Sequence, residues 1–96
     1  MRYKSILQKD DSTCFFCHSN TWLEWHHVFG AFAKKKSEEF GLMVRLCHNC
    51  HNEPPFGVHQ NKEIRRKLQA FAQAKAMQTH DLTKEEFIKL FGKNYL

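Results

Sequence analysis

The chain has 96 residues, room for one domain with a thin apolar core, and its 42% hydrophobic content comes with four cysteines and seven histidines. No stretch approaches the roughly 18 consecutive apolar residues of a membrane span, which excludes helical membrane proteins. Fifteen Lys and Arg against ten Asp and Glu leave a net charge of +5 and favour an anionic partner, of which nucleic acid is the commonest for a small domain.

The opening RYKSILQKDD (2–11) is polar from its first residue and carries no apolar leader, so a reducing, cytoplasmic setting without a membrane partner is expected. Tyr3, Ile6 and Leu7 stand at helical spacing and predict a short amphipathic helix there. After Cys14 and Cys17 comes TWLEWHHVF (21–29), aromatic and β-branched, which predicts a strand. GAFAKKKSEEF (30–40) reads as a charged connection, whose Lys34, Lys35 and Lys36 either track a phosphate backbone or are simply solvated. GLMVRL (41–46) predicts a second strand, leading into Cys47 and Cys50. Pro54 and Pro55 make HNEPPFG a loop. Ile64, Leu68, Phe71 and Ala72 then form an i, i+4, i+7, i+8 stripe for a helix from about Val58 to about Met77. Its start is basic, with Lys62, Arg65, Arg66 and Lys67. A closing helix follows, with Thr83 and Glu86 as a capping box, Gly92 as its stop, and Phe87, Ile88, Leu90 and Phe91 as core residues. The expected class is small α+β in one domain over 1–96, with the motifs in 1–61 and helices in 62–96.

A core this thin calls for a staple. The cysteines come as two C-x-x-C pairs, CFFC and CHNC, separated by a long insertion. That is the spacing of a structural Zn²⁺ site, in which each pair presents two thiolates to one tetrahedral ion. Two disulfides are the competing reading, disfavoured by the expected reducing compartment. A thiol oxidoreductase is a poor fit, because its C-x-x-C opens a helix in a βαβ unit absent here.

The adjacent His26 and His27 in the first strand suit a ligand, a base or plain packing on the residues alone. The order of elements, together with EWHHVF (24–29), RLCHNCHN (45–52) and the R-x-x-x-I-L lead-in to CFFC, resembles the HNH endonucleases. It is similar to the zinc-stapled branch of that family, particularly its short phage and prophage members, over residues 2 to about 61. The resemblance implies a ββα-metal core carrying a four-cysteine zinc site, flanked by an N-terminal helix and C-terminal helices. It implies hydrolysis of DNA phosphodiesters, with duplex the expected form, aided by a catalytic divalent ion such as Mg²⁺, Mn²⁺, Ni²⁺ or Zn²⁺. His26 falls at a metal-ligand position, His27 at the position of the general base and His51 at a second ligand position. The third ligand it implies is His59, with Asn52 the fallback. Lys34, Lys35, Lys36, Lys62, Arg65 and Arg66 are the expected contacts to DNA phosphates. His18, His48 and His80 receive no role.

One departure stands out. The family's middle Asn has no equivalent where Gly41, Leu42 and Met43 occur, so His27 must be oriented by something else, such as a backbone carbonyl. The competing function is a non-catalytic zinc module that binds nucleic acid or protein through its basic surface.

Overall fold

A computed structural model describes residues 4–96. The elements are strand β1 (Leu23–His27), a 3-10 turn at Ala31–Ala33, helix α1 (Lys34–Phe40), strand β2 (Met43–Cys47), and helices α2 (His48–Asn52), α3 (Lys62–Thr79) and α4 (Lys84–Phe91). The result is a small α+β fold with one antiparallel strand pair, in which His26 lies opposite Val44 and His27 opposite Met43. No helix of the described residues is long and apolar enough to cross a membrane.

Two expectations require correction. No helix forms over residues 4–12, and Tyr3 lies outside the described residues. There the Ser5 hydroxyl accepts from the backbone N–H of Leu7 and Gln8 and donates to the carbonyl of Met43, while Ile6 N donates to Gly41 O at 2.9 Å. Local side-chain bonding of this kind competes with helix formation. Gln8 continues the pattern by accepting from Arg45 N, so the segment lines the outer edge of β2. The stretch 30–40, expected as a polar, charged connection, contains the 3-10 turn and helix α1. Lys and Glu are good helix formers, Ser37 is fully buried with its hydroxyl on Phe29 O at 2.6 Å, and Gly41 closes the helix at φ +76°.

Smaller shifts concern α2 and α3. The loop expected from residue 51 begins after Asn52, and α3 starts at Lys62, where the Asn61 side chain caps Ile64 N at 3.0 Å. Leu68, Ala72 and Ala76 bury one face of α3, whereas Phe71 is 40% exposed. Helix α4 forms with its capping box, and Phe87 and Phe91 pack on Phe29 with ring centroids 5.5 and 5.1 Å away. Ile88 and Leu90 are only partly buried. Buried Gln73 of α3 donates to Asn94 and accepts from Tyr95 N, which fastens the C-terminal residues to the core. Helices α3 and α4 thereby back the β1–β2–α2 unit that carries the metal-ligand residue types.

Candidate metal centre

Cys14 and Cys17 lie in the knuckle before β1, Cys47 ends β2, and Cys50 sits one turn later in α2. The knuckle is tied to the sheet by Phe15 N donating to Arg45 O at 2.8 Å. All four sulfurs lie within 4.8 Å of one another. Cys17 and Cys47 Sγ are 3.6 Å apart. A disulfide needs about 2.05 Å, whereas four sulfurs about 2.3 Å from one tetrahedral ion are about 3.8 Å apart. Burial pushes the Cys14 thiol up, but hydrogen bonds from the backbone N–H of Cys17, Cys47 and Phe16 outweigh it and bring the thiol down to about 7. Cys50 is pushed up, first by burial and then by its neighbours Cys47 and Cys14. The four cysteines could hold a structural metal such as zinc.

A second cluster is built from imidazoles. Side chains alternate along β1, so Glu24 and His26 share one face. On that face His26, His51 and His59 bring one ring nitrogen each within 4.8 Å of the others. His51 comes from α2. His59 follows a tight turn in which Gly57 N donates to Glu53 O at 2.7 Å, Val58 N to Cys50 O at 2.9 Å and His59 N to His51 O at 3.1 Å. An added Cβ at Gly57 would lie 2.5 Å from Glu53 O, so only glycine fits this turn. The Nε2 atoms of His51 and His59 face each other at 3.1 Å, close to the roughly 3.4 Å between two nitrogens on one tetrahedral zinc.

Two observations make the imidazoles fit a metal ion. His26 is 4% exposed and its buried Nε2 has no hydrogen-bond partner among the described residues. An unsatisfied buried polar atom costs about 1–3 kcal/mol. Burial, then the nearby His51 and His59, brings His26 down to about 3, so its ring is in the neutral, ligating form at pH 7. His59 is lowered for the same reasons, burial first, then His51 and Arg65. The other observation is Glu24, whose Oε1 accepts from His51 Nδ1 at 2.6 Å and from Asn52 Nδ2 at 2.9 Å. That bond fixes the His51 tautomer and turns Nε2 towards the cluster, as carboxylate partners of metal-bound histidines do. The His51 bond, with help from His48, holds Glu24 below the usual carboxylate range against a small desolvation. His59 thus stands in the cluster, and Asn52 is engaged with Glu24.

His27 points to the other face of β1, where its Nε2 donates to Glu38 Oε2 of α1 at 2.7 Å. A side-chain carboxylate is therefore one group that fixes the ring. Lys34 and Lys35 are exposed on the first turn of α1, and Lys36 is partly covered. On α3, Lys62 and Arg66 are exposed and Arg65 donates to Val58 O at 3.1 Å, beside His59. The histidines without an expected role are structural or peripheral: His80 bonds Phe40 O, His48 lies between Glu24 and Glu53, and His18 sits in the knuckle.

Glu24 and Glu38 went unnoticed in the sequence. Glu24 stands two residues before His26, which on a strand means the same face, and that spacing was the one available signal. Comparison of the chain with protein-family models, curated proteins and solved structures gave no match.

Proposed function

We propose that the chain is a metal-dependent DNA endonuclease of the HNH type, with β1, β2 and α2 as its ββα-metal core. The observation that carries this reading is the convergence of His26, His51 and His59 on one point, with the buried His26 Nε2 unpartnered among the described residues and His27 next to it in β1. A divalent ion held there would supply Lewis-acid stabilisation of the charge that develops on a phosphodiester under attack. His26, His51 and His59 would hold the ion through one ring nitrogen each, and Glu24 keeps His51 aimed. His27 takes the proton from the attacking water, and Glu38, by accepting the His27 N–H, orients the ring. Lys34, Lys35, Lys36, Lys62, Arg65 and Arg66 hold the DNA by its phosphates. The four-cysteine site braces α2, and with it His51, against β1.

One observation favours a second reading, a non-catalytic zinc module that binds nucleic acid or protein: His27 and His26 point to opposite faces of β1, and His27 is already paired with Glu38. Nicking of supercoiled plasmid separates the two. The endonuclease should nick with Mg²⁺, Mn²⁺ or Ni²⁺, and His27→Ala should lower the rate by about 10²- to 10⁴-fold at unchanged DNA affinity. Equal, slow, chelator-insensitive nicking by both proteins would leave the binding module standing.

A further inference from the structure

Beside the sulfur site, and apart from the imidazoles, the surface holds an apolar cleft of about 460 Å³. Its walls are Phe15, Phe16, Phe56 and Phe71, with buried Leu68 beneath and Lys67 at the edge. Neither the zinc site nor the proposed hydrolysis uses these rings. Phe16, Phe56 and Phe71 are 39%, 67% and 40% exposed, and an 11.4 kDa chain would be expected to cover such rings if it could. Phe15 meets Phe71 at a centroid distance of 6.0 Å and 37°, and Phe16 at 5.4 Å edge-on, so these rings form one aromatic cluster at the cleft.

The charge around the cleft says what kind of occupant fits. The adjoining patch of α3 presents Lys62, Arg66 and Lys67 against a single carboxylate, Glu63. Glu63 reaches Lys67 at 3.5 Å, but both side chains are more than three-quarters exposed, and such a pair exchanges readily for another anion. An apolar peptide would satisfy the rings and leave the cations unused. An unpaired nucleotide satisfies both, with its base on the aromatic faces and its phosphate on the adjoining cations. In a duplex the base faces are covered by their neighbours and cannot enter.

We propose that this cleft is a stacking site for an unpaired base of single-stranded DNA, whose phosphates run along Lys62, Arg66 and Lys67. This rests on the reading of the chain as a DNA-binding nuclease and narrows it: the preferred substrate contains unpaired nucleotides, where intact duplex was the expectation from sequence.

The test is fluorescence anisotropy of the zinc-loaded protein with a labelled thymidine oligonucleotide and with an abasic oligomer of the same length, which keeps the phosphates and lacks the bases. Wild type should bind the thymidine strand about tenfold more tightly, within the range for one or two base–aromatic stacks. Phe56→Ala and Phe71→Ala should each reduce that preference, and the double variant should abolish it. Both side chains are exposed, and zinc content checks that the fold is kept. Lys67→Ala should weaken both strands equally. Equal binding of the two strands by wild type, or a preference that survives the double variant, overturns the proposal. So does sedimentation of wild type as a dimer that Phe56→Ala dissociates, since a second copy would then fill the cleft. Base preference without metal-dependent cleavage of either plasmid or single-stranded DNA sinks the nuclease reading alone, and cleavage without base preference sinks the stacking site alone.

Discussion

At the level of single residues, the site turns on what each imidazole is bonded to. His51 is held by Glu24 with Nε2 towards His26 and His59, the setting the proposed ligand role requires, whereas His27 is bonded to Glu38, the setting the proposed base role requires. The two should therefore respond differently to added metal. Removing an imidazole ligand weakens ion binding, so excess Mn²⁺ should restore part of the nicking lost in His51→Ala and none of that lost in His27→Ala. Rescue of both would mean that His27 is a ligand. His26 makes a second expectation, in pH. Its ring titrates at 6.5 when unfolded and at about 3 when folded, because burial and the two neighbouring imidazoles oppose its charge. Between those values the unfolded chain binds more protons, so stability is fully present above pH 6.5 and falls as the pH is lowered through the window. One such group contributes at most about 1.4 kcal/mol per pH unit. Chemical denaturation of wild type should accordingly be steeper in pH than that of His26→Asn, and equal slopes would contradict the buried neutral ring. The cysteine pairs and His51 could be read from the sequence because fixed short spacing carries them. The pairings of Glu24 and Glu38 could not, since their histidine partners lie 27 and 11 residues away and only the fold joins them, although the i, i+2 spacing to His26 does put Glu24 on the cluster's face.

Among the elements, those with a local chemical signature were legible and those held by tertiary contacts were not. Helix α4 carries its own start and stop in the Thr83–Glu86 capping box and Gly92. Helix α1 has Ala33 at its N-cap with no side-chain cap, and is held by Ser37 bonding back to Phe29. A run of lysines and glutamates without a cap looks like a connection until that packing is known. The N-terminal segment fails the other way, because its helical spacing yields to the open edge of β2. The Gly57 turn is the element on which the third imidazole depends. In Gly57→Ala the new Cβ would overlap the Glu53 backbone, moving His59 from His51. Affinity for the second ion, measured by competition with a chromophoric chelator, should fall about tenfold or more while the sulfur-bound ion is retained. Unchanged affinity would remove His59 from the site. Helix α1 also presents Lys35 to solvent. Lys35→Ala should weaken binding to all DNA sequences about equally and lower the slope of affinity against salt by about one per lost phosphate contact. Weakening for one sequence alone would point to a base contact.

For the whole molecule, two clusters of metal-ligating side chains, one of four cysteines and one of three histidines, sit beside a small core. Cys14 and Cys47 are themselves among its buried residues, and α2 joins the clusters by carrying Cys50 and His51 side by side. Ion binding at the sulfurs is then part of the folding free energy, so a strong chelator should unfold the chain and release both ions together. The central claim is that the chain holds two ions of different chemistry, one on sulfur and one on imidazole. Anomalous scattering at the zinc edge from crystals of the zinc-loaded protein tests it directly. The expected map has two peaks, one about 2.3 Å from four cysteine sulfurs and one about 2.0–2.1 Å from the ring nitrogens of His26, His51 and His59. A single peak at the cysteines, with an ordered water on His26 Nε2, would contradict it.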